Sequence, residues 1–314
     1  MFALCILGAV LALFTTKPVD ALESPFKVSS ESLDKIPTAQ AGIQTFGLID
    51  GKAPAIADES MQVLTDAVMR AQGAGDVHFA LIDLDTGKGL AYNIDATQFG
   101  ASSFKALYCS YVCQELVETG EISTDIVESD MVSPYFAVKE PMRAAVVESS
   151  NESYMSLVEM LRNYLPNTWL SSVGANNIAV SFGSQGQYPT YSVRESLKLW
   201  YETESYFEES NTAASEYLCM LTEMVEVSYI RDGLVRTNMA NNVELTVRSK
   251  AGYSCVTEEM PVSLPAICDA GYVCIDGHPY LISVMTTLDC SDGGNRVRVE
   301  NLIAALFEAL WSVS

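Results

Sequence analysis

Apolar and polar positions divide this chain into strand-like ends and a helical middle. From Glu59 to Gln72, residues Met61, Leu64, Val68 and Met69 recur at the spacing of an amphipathic helix, and Gly73 ends it. The run Val77-His78-Phe79-Ala80-Leu81-Ile82-Asp83 reads as a strand. Asp85-Thr86-Gly87 turns the chain, and Lys88 to Asn93 returns as a second strand. Ser103 to Glu118 is rich in Ala, Leu, Val and Cys and carries no charge between Lys105 and Glu115. That pattern predicts a helix buried on all sides, ended by Gly120. Further helices are predicted over Asn151 to Asn163, Ser192 to Phe207 and Asn211 to Val225. From Val243 the period becomes that of strands: Val243 to Val247, Lys250 to Val256, Ala266 to Ile275 and Tyr280 to Thr287. Val297 to Trp311 reads as a closing helix.

Two strands therefore precede the helical middle, and three or four follow it. A sheet assembled from both ends of a chain, with helices inserted between, is an α+β layout and not alternating βαβ. There are no internal repeats or low-complexity segments. Phe2 to Leu13 is apolar but too short to span a bilayer. Val19-Asp20-Ala21 then resembles a signal-peptidase site, so residues 1–21 are expected to be an export signal, with an uncleaved membrane anchor as the alternative. Residues 22–57 contain Pro25, Pro37 and Pro54 with no sustained period and read as a linker. The folded domain is expected over 58–314, with an α/β half from 58–98 and 240–314 and a helical half from 99–239.

Composition narrows the function. The 314 residues carry 18 basic and 40 acidic side chains, a net charge of -22, which disfavours nucleic acid and anionic membrane as partners. There are only two histidines, His78 in a strand pattern and His278 in the turn Asp276-Gly277-His278-Pro279, so a Ser-His-Asp triad is not expected. No Cys-x-x-Cys occurs, and no zinc site is expected. Asp83 and Asp85 belong to a tight turn and lack the rest of a calcium loop. Without Cys5 of the expected signal, seven of the eight cysteines remain, and an odd number cannot all pair internally. Cys109 and Cys113 lie four apart on one helix and read as buried thiols. Cys255 and Cys268 flank an expected hairpin loop and are candidates for a disulfide.

The candidate chemistry lies in Ala101-Ser102-Ser103-Phe104-Lys105. A serine at a helix N-terminus faces free backbone N–H groups, and a lysine three residues on falls on nearly the same helical face. An amine beside a hydroxyl is the minimum needed to make serine a nucleophile. Ser149-Ser150-Asn151 and then Lys250-Ala251-Gly252 follow in order. With the hairpin Phe79 to Gly87, the segment Ile230-Arg231-Asp232-Gly233-Leu234 and the strand Ile282 to Thr287, these motifs make residues 59–311 resemble the class A β-lactamase branch of the penicillin-recognising serine hydrolases.

The resemblance implies a five-stranded antiparallel sheet flanked by N- and C-terminal helices, with an inserted all-helical half. It implies that Ser102 attacks an amide carbonyl and becomes acylated, with Lys105 as a neutral amine accepting its proton. Moving a lysine from a pKa of ~10.4 to neutrality costs on the order of 4 kcal/mol, and burial together with a second cation, Lys250, would drive it. Ser149 would relay a proton between Lys250 and the leaving nitrogen. Asn151 would hydrogen-bond the substrate's side-chain amide, the backbone amides of Ser102 and Tyr253 would form the oxyanion hole, and Gly252 would join Asn151 and Tyr253 in binding substrate. The implied partner is a β-lactam or a peptidoglycan peptide, with no cofactor. The chain is expected to be monomeric and extracytoplasmic in a bacterium, with a membrane tether at its N-terminus as the alternative.

The sequence departs from that family in two places. Class A enzymes carry a glutamate between the second and third motifs that activates the deacylating water. The interval from Asn163 to Tyr191 contains neither Glu nor Asp, and Gln185, the nearest analogue, cannot act as a base. Ser150 stands where the family has aspartate. Acylation is therefore better supported than fast deacylation. A penicillin-binding D-alanyl peptidase and a non-enzymatic domain that keeps the fold stand as the alternative readings.

Overall fold

The computed structural model describes residues 25–38, 42–122, 138–182, 187–237, 243–256 and 264–311. The expected signal segment and Gln185 lie outside them.

The central sheet is built from β1 (Gln44–Gly47), β2 (Val77–Asp83), β3 (Lys88–Tyr92), β6 (Leu245–Ser254), β7 (Ala266–Ile275) and β8 (His278–Thr286). Their spatial order is β1-β3-β2-β8-β7-β6, and every pairing is antiparallel. Two residues each from β4 (Gln98–Phe99) and β5 (Thr190–Tyr191) form a separate small ladder.

Because successive side chains in a strand point to opposite faces, each central strand supplies two cores. Phe79, Leu81, Ile267, Val273, Ile282 and Val284 face α1 (Asp58–Gln72), α9 (Tyr229–Arg236) and α10 (Gly293–Trp311). Ala80, Ile82, Ala270, Tyr272, Leu281 and Met285 join the helical half. That half contains α2 (Phe104–Tyr111), α3 (Lys139–Val146), α4 (Asn151–Met160), α5 (Asn167–Val173), α6 (Asn176–Ser181), α7 (Val193–Glu209) and α8 (Ala213–Glu223). Every residue of α2 is buried, as the absence of charge after Lys105 predicts, and the helix runs on into a π-helical turn at Val112–Val117. Helix α7 starts at a capping box in which Ser192 and Glu195 satisfy each other's backbone N–H groups. Among the described residues no helix is long and apolar enough to cross a membrane.

The structure corrects three expectations. The sheet has six strands and not five. The sixth, β1, comes from the segment read as a linker, where Val28, Leu33 and Ile36 are also buried. A 3-10 turn at Ser30–Lys35 and a four-residue strand are too short to leave a period in the sequence. This segment is held from α7, where Arg194 donates to the carbonyls of Leu33 and Ile36 while paired with Asp95. Secondly, the two strands expected over Val243 to Val256 are one continuous strand, β6. Thirdly, Cys255 is bonded to Cys290 and not to Cys268. Cys268 lies in the ladder opposite Gly252 and is buried, whereas Cys255 is past the end of β6 beside the loop that leads into α10. Cys109 and Cys113 are buried free thiols.

Candidate active site

Ser102 sits in a 3-10 turn, Ala101–Ser103, that leads into α2. The turn begins with Ala101 in the left-handed region at φ 46°. The two serines have different environments. Ser103 is buried, donates to the Gly100 carbonyl at 2.6 Å and meets the Tyr191 hydroxyl at 2.5 Å, so its hydroxyl fastens the turn to β5. Ser102 instead lines an open cleft of about 140 Å³ with Phe99, Ala101, Asn151, Tyr188, Tyr253 and Ser254.

One turn along α2, Lys105 is buried. Its Nζ donates to the Ser149 carbonyl at 2.6 Å and to Asn151 Oδ1 at 2.7 Å. Lys250, buried on β6, donates from its Nζ to Ser149 Oγ at 3.0 Å and to the Ala251 carbonyl at 3.0 Å. Ser149 thus serves both lysines, one through its backbone oxygen and the other through its hydroxyl. It does so in the left-handed conformation, at φ 59°, which costs a non-glycine residue on the order of 1–2 kcal/mol. The next residue, Ser150, caps α4 by accepting from Ser153 N, so it has a helix-starting task where the family has aspartate.

Burial, and next the charge of Lys250, lower Lys105 to about 7. Burial also lowers Lys250, to about 8, while the Asp269 carboxylate works in the opposite direction. Near neutral pH this pair can hold one cation on Lys250 and leave Lys105 free to accept a proton. That is the division of labour a serine nucleophile with a lysine base requires.

The face of β6 that meets the helical half carries Arg248, Lys250 and Gly252 in alternation. Gly252 is where the strand touches the Ser102 turn. A Cβ there would lie 2.4 Å from the Gly100 carbonyl oxygen, 2.5 Å from Ser103 N and 2.8 Å from Ser102 N. Only glycine admits that approach. Tyr253, the next residue, is 44% exposed and lines the cleft. The structure therefore brings Ser102, Lys105, Ser149, Asn151, Lys250, Gly252 and Tyr253 into one place.

Sequence reasoning missed three other groups. Tyr188 lines the cleft and donates to Asn151 Oδ1 at 2.9 Å, and nothing in its Gly- and Pro-rich surroundings singles it out. Asp269, wholly buried on β7, accepts from Ser228 Oγ at 3.1 Å and from Ile230 N at 3.0 Å, and burial pushes it up to about 6. A charged residue inside the apolar run Ala266 to Ile275 was the available signal. Arg248 pairs with the fully buried Glu204 at 2.8 Å, with Glu208 and Glu223 nearby, and lies over the Tyr272 ring at 4.5 Å. The glutamates flanking the second motif do not serve the cleft. Glu148 accepts from Arg143 at 2.6 Å, and Glu152 is exposed in the first turn of α4. Among the described residues, the lining of the cleft contains no carboxylate. The donor atoms of Cys255, Asp289 and Cys290 also come together, but both sulfurs are joined in the disulfide.

The model of the Beta-lactamase enzyme family matches residues 60–313. The chain belongs to that family. Comparison with curated proteins gives no match. Among solved structures, the fold is similar to a mutant of PBP-A as its acyl-enzyme complex with penicillin G, at TM-score 0.62 and 14% identity over 80% of this chain and 97% of that one. It is similar to a β-lactamase from Chitinophaga pinensis, at TM-score 0.61 and 18% identity over 81% and 99%. It is also similar to the last common ancestor of Gram-negative bacteria class A β-lactamase, at TM-score 0.60 and 18% identity over 81% and 99%. At these identities the likeness concerns the β-lactamase fold. Within that fold Lys105, Ser149, Asn151 and Lys250 are joined by hydrogen bonds.

Proposed function

We propose that this β-lactamase-family protein is a serine hydrolase that opens β-lactams or related amides by acylating Ser102. The observation that carries this reading is the double use of Ser149, whose carbonyl holds Lys105 and whose hydroxyl holds Lys250. Neutral Lys105 takes the proton of Ser102 Oγ as that oxygen attacks the amide carbon. The tetrahedral oxyanion develops against the backbone amides of Ser102 and Tyr253. The Ser149 hydroxyl then passes a proton to the leaving nitrogen and is resupplied from Lys250. With Oδ1 of Asn151 taken by Lys105 and Tyr188, its Nδ2 group is left to donate to the substrate's acyl side chain. Lys250 also attracts a substrate carboxylate.

The acyl-enzyme is slow to clear in this reading, since the described lining of the cleft offers no carboxylate to activate water. The same observation favours a second reading, a penicillin-binding enzyme acting on D-alanyl peptides that stays acylated by penicillin. Export through residues 1–21 to an extracytoplasmic site, where the Cys255–Cys290 disulfide is maintained, belongs to the proposal.

The test is incubation with a fluorescent penicillin, with bound label followed by intact-protein mass spectrometry. Label on Ser102 that is absent from Ser102→Ala supports the acyl-serine. Decay within seconds would favour a fast β-lactamase whose deacylating base lies outside the described lining of the cleft, and persistence for hours a penicillin-binding peptidase. No label at all would move the non-enzymatic reading to the front.

A further inference from the structure

We propose that Tyr188 sets the lifetime of the acyl group on Ser102 by roofing the Lys105 amine against water. The inference rests on the acyl-serine reading above and goes beyond it by naming the device that holds the ester.

Hydrolysis of the ester needs a water whose oxygen bonds to the acyl carbon while a base takes its proton. The tetrahedral intermediate then expels Ser102 Oγ, which recovers a proton from the same base, and the carboxylic acid leaves. The described lining of the cleft holds no carboxylate, and the group able to play that base is Lys105, buried behind it and lowered to about 7. Its Nζ is enclosed on two sides by its hydrogen bonds to Ser149 and Asn151. Two tyrosine rings complete the enclosure, Tyr154 and Tyr188, each with its centroid 5.8 Å from Nζ.

The two rings are not equivalent. Tyr154 is fully buried on α4 and forms the floor. Tyr188 is the half-buried one that faces the cleft. It is held at both ends. Its ring rests against Tyr154, with centroids 5.3 Å apart, and its hydroxyl donates to Asn151 Oδ1. The Tyr154 hydroxyl further ties the neighbouring Gln187 carbonyl at 2.8 Å. A water approaching Lys105 past Tyr188 must displace an aromatic ring fixed at these points, and the approach that remains is the one beside Ser102, which the acyl group itself occupies. During acylation no water is needed, because Ser102 itself brings the proton to Lys105. The roof therefore bears on deacylation and leaves the first step open.

The experiment compares the parent with Tyr188→Ala and Tyr188→Phe, each labelled with fluorescent penicillin, freed of excess reagent and followed by mass spectrometry across pH. Removing the ring in Tyr188→Ala is expected to shorten the acyl lifetime at least about tenfold, with a rate of loss that rises as pH passes through about 7, the range in which Lys105 becomes free amine. Tyr188→Phe keeps the ring and is expected to keep a lifetime within about threefold of the parent. A merely loosened fold would not produce that pH dependence. An unchanged lifetime in Tyr188→Ala would overturn the proposal, as would a Tyr188→Phe lifetime as short as that of the alanine variant, or a Tyr188→Ala protein that takes no label while the parent does. A parent that takes no label removes the acyl-serine reading and this inference with it. A parent that labels while the lifetimes coincide removes the inference alone.

Discussion

Lys250 Nζ reaches Ser149 Oγ at 3.0 Å across 101 residues of sequence, and through that hydroxyl the charge on β6 meets the helical half. Under the proposed acyl-serine mechanism this contact is expected to make the acylation rate a two-sided function of pH. Lys105 must be neutral, so the rate rises as pH passes through about 7. Lys250 must be charged, so the rate falls as pH passes through about 8. The Asp269 carboxylate opposes the downward pull of burial on Lys250, so Asp269→Asn is expected to move the alkaline limb to lower pH. Label-incorporation rates measured from about pH 5 to 10 check this, and the two limbs describe the lysine pair jointly. A flat profile in the parent, or an alkaline limb unmoved in Asp269→Asn, would contradict it.

Gly252→Ala places a methyl group where the Gly100 carbonyl and the amides of Ser102 and Ser103 already stand. The strand or the turn must give way, and a shift of about 1 Å at a reacting centre costs on the order of 100-fold in rate. We expect acylation to fall by about that factor, with thermal stability reduced much less. Stopped-flow labelling beside a melting curve separates the two effects.

The Arg248 guanidinium faces Glu204, which has no exposure of its own. Burial pushes Glu204 up to about 8 although Arg248 pulls it down, so Arg248→Met is expected to leave it a neutral buried acid without its partner, at a cost of about 1–3 kcal/mol in unfolding free energy. The change lies on the same face of β6 as Lys250, so residual labelling should fall in step with the folded fraction. Urea unfolding gives the stability directly, and a loss below about 1 kcal/mol would be inconsistent with the pairing.

The disulfide between Cys255 and Cys290 closes a loop with a sequence separation of 35. In the chain-entropy account such a closure contributes roughly 3–4 kcal/mol by restricting the unfolded chain. Cys255→Ser is expected to lose stability of that order, and a reducing agent should have the same effect on the parent but none on the variant. Cys268→Ser should leave the disulfide in place, as peptide mapping under non-reducing conditions would show.

Much of the fold was legible because periodicity records which faces are buried. The seven-residue strand Val77–Asp83, the largely apolar helix behind Ser102 and the amphipathic α7 all follow from it. What escaped were short elements and partnerships. Helices α5 and α6 have seven and six residues, too few to establish a period. The Ser30–Lys35 turn is fixed by Arg194, whose bonds to Leu33 and Ile36 span 161 and 158 residues, and β1 by its antiparallel ladder with β3.

The sequence by itself determined which chemistry is present. It set an α+β chain with Ser102 at a helix start, Lys105 one turn on, and Ser149, Asn151 and Lys250 in family order, because local spacing and motif order are properties of the chain alone. Only the tertiary structure decided what those groups do to one another. It separated Ser102, in the cleft, from Ser103, bound to Gly100 and Tyr191. It placed both lysines out of water on one serine, laid Tyr188 over the amine, and paired Cys255 with Cys290 in preference to Cys268. Each of these depends on proximity between distant segments and on the exclusion of water, and neither is encoded at any single position.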